Sequence, residues 1–324
     1  MANFPVSGSA VTVNYGWEVT YGTPVVTGLK PFGQGVKIST YDSDNTPEYV
    51  FGLGNQEAQK SVVKEFKGTW GVEFLLSDSW FFRAVLGGAP TTASSNPYTH
   101  TWTVANSGIT NTLTPITIAM GFDLDTDAEH TLAGCIVNSC TLTSSVGEAI
   151  KCKLEGHYKT ITKDATIFSP VAPVEDPFTF ANATLQIPDS TSIADVQNFE
   201  ISINRNTEQV WGLGSRFSQK YVAKQREYKL KMTVTYEDDT MLTSTWGAAG
   251  GPASSVAEIA TAELTISNGL STSATRSYVF MFGNCLFEKI SIPSEVGEVV
   301  KQEITITART LTSLVVSNNT AAAL

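Results

Sequence analysis

Apolar and polar residues alternate with a period of two through most of this chain. The runs LTPITIAMGFDLD, CIVNSCTLTSS and AIKCKLEGHYKTIT occupy the first half, and NFEISINRN, YKLKMTVTYED, TAELTISNG, RSYVFMFGN, FEKISIPS and VVKQEITITAR the second. Alternation sends successive side chains to opposite faces, so each run predicts a strand with one face buried. Val-Gly-Glu stands between consecutive runs at 146–148 and again at 296–298. Both read as hairpin turns, with Gly147 and Gly297 supplying a positive φ. Each half carries one helix candidate. In SDSWFFRAVLGG, Asp78 or Ser77 offers an N-cap, the apolar positions 81, 82, 85 and 86 share a face, and Gly87 is a stop. Its counterpart EDDTMLTSTWGA keeps Asp238 and Gly247 but is rich in Thr and Ser, predicting a weaker or shorter helix. The fold class is therefore all-β, as two tandem β-sandwich or barrel domains, each with one short α-helix.

The two halves are copies. At a shift of 160, residues 51–88 match residues 211–248 at nine of 38 positions without a gap. Gly52, Leu53, Gly54, Gln59, Lys60, Val62, Lys64, Asp78 and Gly87 recur as Gly212, Leu213, Gly214, Gln219, Lys220, Val222, Lys224, Asp238 and Gly247. At a shift of 150, Val146, Gly147, Glu148 and Lys151 recur as Val296, Gly297, Glu298 and Lys301, with Gly134 near Gly283 but one residue out of register. The change of shift falls where the first half carries the insertion TTASSNPYTHTW. The proline-rich PVAPVEDP at 170–177 reads as a linker, so the units are 1–170 and 171–324.

Composition narrows the function. Of 324 residues, 71 are Ser or Thr and only 16% are charged, which suits strands and turns rather than a charged helical surface. The net charge of −10, without any Lys/Arg block, argues against recognition of nucleic acid through its phosphates. The first residues lack the basic and apolar regions of a secretory signal, and no stretch reaches the apolar length of a membrane helix. The expected product is soluble, non-secreted and without a membrane anchor.

Candidate chemistry is sparse. Cys135, Cys140, Cys152 and Cys285 form no CxxC pair, and with His157 they fit no common zinc spacing; small core side chains are expected, with Cys140 and Cys152 facing each other across a hairpin. His100, His130 and His157 accompany no nucleophile signature and read as surface or strand-end residues, so no catalytic, metal or cofactor site is expected and the chain is not read as an enzyme. Asp123, Asp125, Asp127 and Glu129 alternate at period two, which predicts four carboxylates on one solvated strand face or in a loop, without the glycine of an EF-hand. FGLG and WGLG read as bulges or tight turns, each followed by a basic run (QKSVVK, QKYVAK) preceding a strand. Gly52, Gly54, Lys60, Gly212, Gly214 and Lys220 are thereby candidates for subunit-contact loops.

The segments YGWEVTYGTPV, VFGLGNQEAQK and KGTWGVEFLLSDSWFFRAVLGG, with the late VGE hairpin, resemble the tail tube proteins of tailed bacterial and archaeal viruses. The resemblance covers most of the first half and, through the repeat, the core of the second. It implies stacked rings whose inner strands join into a barrel around a channel for double-stranded DNA. A duplicated chain implies trimeric rings with pseudo-sixfold symmetry. The implied partners are further copies of the chain, the tape-measure protein, and the tail terminator and baseplate or tip proteins, with DNA passing without specific binding. The implied location is the virion tail, assembled in the host cytoplasm. An acidic lumen, to which Asp123, Asp125, Asp127 and Glu129 would contribute, would repel phosphates, and the loops 22–48, 89–112 and 247–256 are expected at ring-to-ring contacts. A baseplate or head-decoration subunit and a carbohydrate-binding or adhesive β-sandwich are the competing readings.

Overall fold

The computed structural model describes residues 11–319 apart from 94, 105–112, 125–126, 165–167, 189–190, 194 and 271–273. The alternating runs are strands, as expected. The first half contributes β1 (Val11–Trp17), β2 (Gln34–Asp44), β3 (Pro47–Phe51), β4 (Ala58–Val63), β5 (Lys67–Leu75), β6 (Thr91–Thr92), β7 (Tyr98–Trp102), β8 (Ile116–Phe122), β9 (Ala128–Ser145), β10 (Lys151–Tyr158) and β11 (Thr160–Asp164), with helix α1 (Phe82–Leu86). The second half contributes β12 (Ala183–Gln186), β13 (Val196–Asn204), β14 (Thr207–Val210), β15 (Lys220–Ala223), β16 (Glu227–Thr235), β17 (Ile259–Ser267), β18 (Ser277–Ser291) and β19 (Lys301–Asn318), with helix α2 (Thr240–Trp246).

The two halves meet edge to edge. One antiparallel sheet runs through both, in the order β12-β17-β18-β19-β16-β13-β9-β10-β5-β2, and β13 meets β9 at the seam between halves. The insertion of the first half also crosses over: β7 pairs with the end of β19, Leu314 opposite Trp102. The apolar core is shared accordingly. Phe82 of α1 lies 5.8 Å from Tyr278 and 5.7 Å from Phe280, both on β18.

Backbone conformations recur at the two shifts found in the sequence. Thr46 (φ 45°) and Asn206 (φ 46°) are 160 apart, as are Gly35 (φ 60°) and Asp195 (φ 59°). The positive φ that corresponds to Gly134 (67°) belongs to Asn284 (52°), at a shift of 150, and not to Gly283. What recurs is therefore the backbone bend within a long strand, which Asn tolerates better than most residues.

The helices depart from expectation. Helix α2 has seven residues and α1 five, so the Thr/Ser-rich copy is the longer. Ser244 and Thr245 donate their hydroxyls back to the carbonyls of Thr240 and Met241, which occupies them without disrupting the turn. In the first half Asp78 does not cap the helix; its carboxylate accepts the N–H of Ser79, and the chain makes a tight turn before α1 begins. Burial of Phe82, Ala84, Val85 and Leu86 holds that short helix in place.

Candidate assembly surfaces

Eight strands, β18-β19-β16-β13-β9-β10-β5-β2, form a continuous arc. One face of the arc is buried by alternate apolar residues. The other is solvated, and the register shows its composition row by row. One row runs Lys37, Glu73, Lys153, Thr141, Ser202, Lys229, Thr307, Leu286; another runs Lys151, Thr143, Glu200, Lys231, Thr305, Lys289. Lys37 pairs with Glu73 at 2.8 Å, Lys231 with Glu200 at 2.7 Å, and Lys229 with Glu288 at 3.4 Å. These rows hold six Lys and two Glu, and Glu155, which pairs with Lys153 at 2.7 Å, Glu227, Glu288 and Glu303 lie on the same face, which is otherwise rich in hydroxyls.

The four carboxylates expected on one strand face do not form one. Asp123 and Asp127 are exposed on either side of the connection from β8 to β9, and Asp125 lies outside the described residues. Glu129 is buried within β9, where it accepts the hydroxyl of Thr131 at 2.9 Å. A period of two cannot distinguish a strand from a turn joining two strands. Among the described residues no cluster of three His, Cys, Asp or Glu could hold a metal ion.

His157 stands next to the end of β10 and His130 near the start of β9, whereas His100 lies in the middle of β7. His100 is fully buried between Thr92 (2.9 Å) and Asn318 (3.1 Å), bridging the insertion to β19. Nδ1 of His130 meets the Tyr41 hydroxyl at 2.8 Å, and burial lowers the pKa of His157. The Cys140 and Cys152 sulfurs lie 4.0 Å apart as buried thiols, and burial pushes the Cys152 thiol up.

The motif YGWEVTYGT acquires a physical reason. Glu18 is buried, and its carboxylate accepts the N–H of Gly22 and of Gly134 at 2.7 Å each and the Thr117 hydroxyl at 2.9 Å. It ties the turn after β1 to the bend in β9. Burial raises its pKa, and the three hydrogen bonds oppose the rise.

FGLG and WGLG sit at the tips of two hairpins. The basic runs after them form the returning strands, β4 and β15, and each precedes a further strand, β5 or β16. Gly52, Gly54 and Lys60 thus belong to the β3–β4 hairpin, and Gly212, Gly214 and Lys220 to β14–β15. Gly54 (φ 77°) and Gly214 (φ 81°) make the same turn. Even the exposed ion pairs correspond, Glu48 with Lys64 and Glu208 with Lys224.

The second hairpin packs across the first half. Gln209 donates to the Tyr158 carbonyl (3.2 Å), Tyr221 to the Leu113 carbonyl (2.8 Å), and the N–H of Phe66 to the Arg216 carbonyl (2.8 Å). Arg205, at the corner leading into it, is buried and donates to the Val85 carbonyl at the end of α1, its backbone N–H going to Asn138 at 2.7 Å. Burial pulls the Arg205 pKa down to about 10.

A residue pattern of this kind, with two docked or dockable hairpins on a continuous polar arc, suits a subunit built to be surrounded by others. The sequence model of the phage tail tube protein family matches residues 8–308, nearly the whole chain. The chain belongs to that family. No curated protein matches it. A tail tube protein is a structural component of the virion tail that self-assembles into a tube, and the all-β fold with solvated strand edges serves that end. Edges left open in a monomer are a hazard unless another chain pairs them. Among the described residues no helix of this tube subunit is long and apolar enough to cross a membrane. Sequence reasoning missed Glu18, Arg205 and the polar arc; the first stood inside a quoted motif, whereas the other two depend on which strands become neighbours.

Proposed function

We propose that residues 1–170 and 171–324 are two copies of one tube unit, and that three chains close into a pseudo-sixfold ring whose wall is the solvated face of three eight-strand arcs. Rings stack into the tube, double-stranded DNA passes through the channel during ejection, and the tape-measure protein occupies it beforehand. Terminator and baseplate or tip proteins cap the ends, and assembly takes place in the host cytoplasm. One observation carries the reading: the strands at the open ends of the arc correspond to the strands that already pair at the internal seam. Inside the chain, β13 pairs with the second part of β9. A shift of 160 carries β13 to β2, and a shift of 150 carries the second part of β9 to the end of β18. Asn204 opposite Ser139 becomes Asp44 opposite Lys289, two opposite charges across the seam between chains.

The wall so defined differs from an acidic lumen. Its Lys and Glu lie interspersed with Ser, Thr and Asn, so phosphates meet no block of one sign, which suits passage of DNA. Negative-stain microscopy of the purified protein tests the proposal: discs with a central hole and a threefold outline, or tubes, are expected. Persistent monomer at high concentration would overturn it. Lys289→Glu, which sets like charges against Asp44, is expected to impair ring closure while leaving the monomer folded.

A further inference from the structure

Two hairpins of one design have different surroundings. In β14–β15 the inner face, residues 207, 209, 211, 221 and 223, is covered by the first half of the same chain. Ser218 is completely buried and hydrogen-bonds to Tyr21 at 3.0 Å, Tyr221 packs edge-on against Tyr21 at 5.1 Å, and Lys67 lies over the Trp211 ring at 5.5 Å. The corresponding face of β3–β4 is Pro47, Tyr49, Phe51, Ser61 and Val63. It is more apolar than its counterpart and uncovered: Tyr49 is 61% exposed, Phe51 63% and Val63 50%. Among the described residues, the hydrogen bonds and ion pairs of 47–63 stay within 44–67.

We propose that the β3–β4 hairpin is an arm that docks onto the second half of a neighbouring copy of this chain, as β14–β15 docks onto the first half of its own. This rests on the ring reading above. The surface that receives β14–β15 includes Phe66 and Tyr158; at the two shifts these correspond to Arg226 and Ala308. Gln209, which donates to the Tyr158 main-chain carbonyl, becomes Tyr49, and Tyr158 becomes Ala308. The contact between the Arg216 carbonyl and the Phe66 N–H becomes one between Gln56 and Arg226. Apolar rings exposed to this degree on a two-stranded hairpin suit burial in a subunit interface, where aromatic residues supply much of the contact energy.

Cysteine cross-linking tests the arm. A backbone hydrogen bond brings two residues within the Cα separation a disulfide spans, and the four native cysteines are buried. Gln56→Cys protein and Arg226→Cys protein, mixed and mildly oxidised, are expected to give a covalent heterodimer, and the double variant a covalent trimer. Tyr49→Ser/Phe51→Ser should melt like the parent monomer yet need about tenfold or more protein to assemble. Rings visible by microscopy without cross-linked chains would overturn the arm and leave the ring reading standing. So would a cross-link confined within one chain, or one that forms only after rings stack, which assigns the hairpin to the next ring. Absence of any ring from wild-type protein would overturn the ring reading and the arm with it.

Discussion

The β14–β15 and β3–β4 hairpins share turn glycines, an exposed ion pair and backbone angles at their entry, yet one is half-buried and the other almost wholly exposed. Local sequence accounts for the shape of both. Burial is decided by what lies alongside: the second hairpin follows β13, which pairs with β9 and so brings the hairpin against Tyr21, Phe66 and Tyr158. The first follows β2, at the end of the sheet, where the chain offers no neighbouring half. The same unit is therefore part of a folded core in one context and an unfilled contact in the other. A duplicated subunit in an open chain must contain one satisfied seam and two unsatisfied ends.

Arg205 gives the most severe test of that contrast. Arg205→Ala removes a buried donor and leaves the Val85 carbonyl without it, so a loss of about 3 kcal/mol is expected in urea denaturation. Its counterpart Asn45 only accepts an exposed hydrogen bond from the Arg216 guanidinium, so Asn45→Ala should cost no more than about 1 kcal/mol. Equal losses at the two positions would break the comparison.

Tyr221→Ala comes next. It abolishes the hydrogen bond to the Leu113 carbonyl and the edge contact with Tyr21, at an expected cost of about 2 kcal/mol in thermal or chemical melting. Ser61→Ala, at the matching position, should leave the melting of the monomer unchanged.

The duplicated aspartates sharpen the contrast through pH. Burial, joined by the nearby Glu175 and opposed by the Ser79 N–H, pushes the Asp78 pKa from its ordinary 3.8 up to about 6. The folded state then holds a proton that the unfolded state releases between those values. Its contribution is fully present below about pH 4 and lost as pH rises through about 6. Asp78→Asn should flatten the stability slope in that window and add about 1–2 kcal/mol near neutral pH. Asp238 is exposed, and the N–H and hydroxyl of Thr240 hold it below its ordinary value. Its contribution has the opposite sign, present above the unfolded pKa and lost as pH falls, so Asp238→Asn should remove a small slope at acid pH. Stability measured from pH 3 to 8 separates the two.

The smallest effect is expected at the ion pairs. Glu48–Lys64 and Glu208–Lys224 are exposed, and double-mutant cycles should return no more than about 0.5 kcal/mol for either. A larger coupling at 208–224 alone would mean that docking of the second hairpin reaches its outer face as well.

Much of the fold was legible because period-two alternation, turn glycines and a repeat are local signals. The strands, both VGE turns and the hairpin tips all follow from them. Glu129 was misplaced because alternation continues smoothly through a connection between strands. Helix α2 was underrated because propensity counts Ser244 and Thr245 against a helix, whereas their hydroxyls bond back to the preceding turn. The sequence around His100 suggests a surface or strand-end residue, yet β7 crosses to β19 and buries it. No local pattern reveals such a crossing.

By itself the sequence determined an all-β chain built from a repeated element order, because strand periodicity and positive-φ positions are properties of a few neighbouring residues. Tertiary structure alone decided that the halves share one sheet, that Lys and Glu meet in pairs along its solvated face, and that one hairpin is covered while its twin is bare. Those outcomes depend on which strands lie side by side, and register between distant strands is set by the burial of whole faces rather than by any residue's own preference.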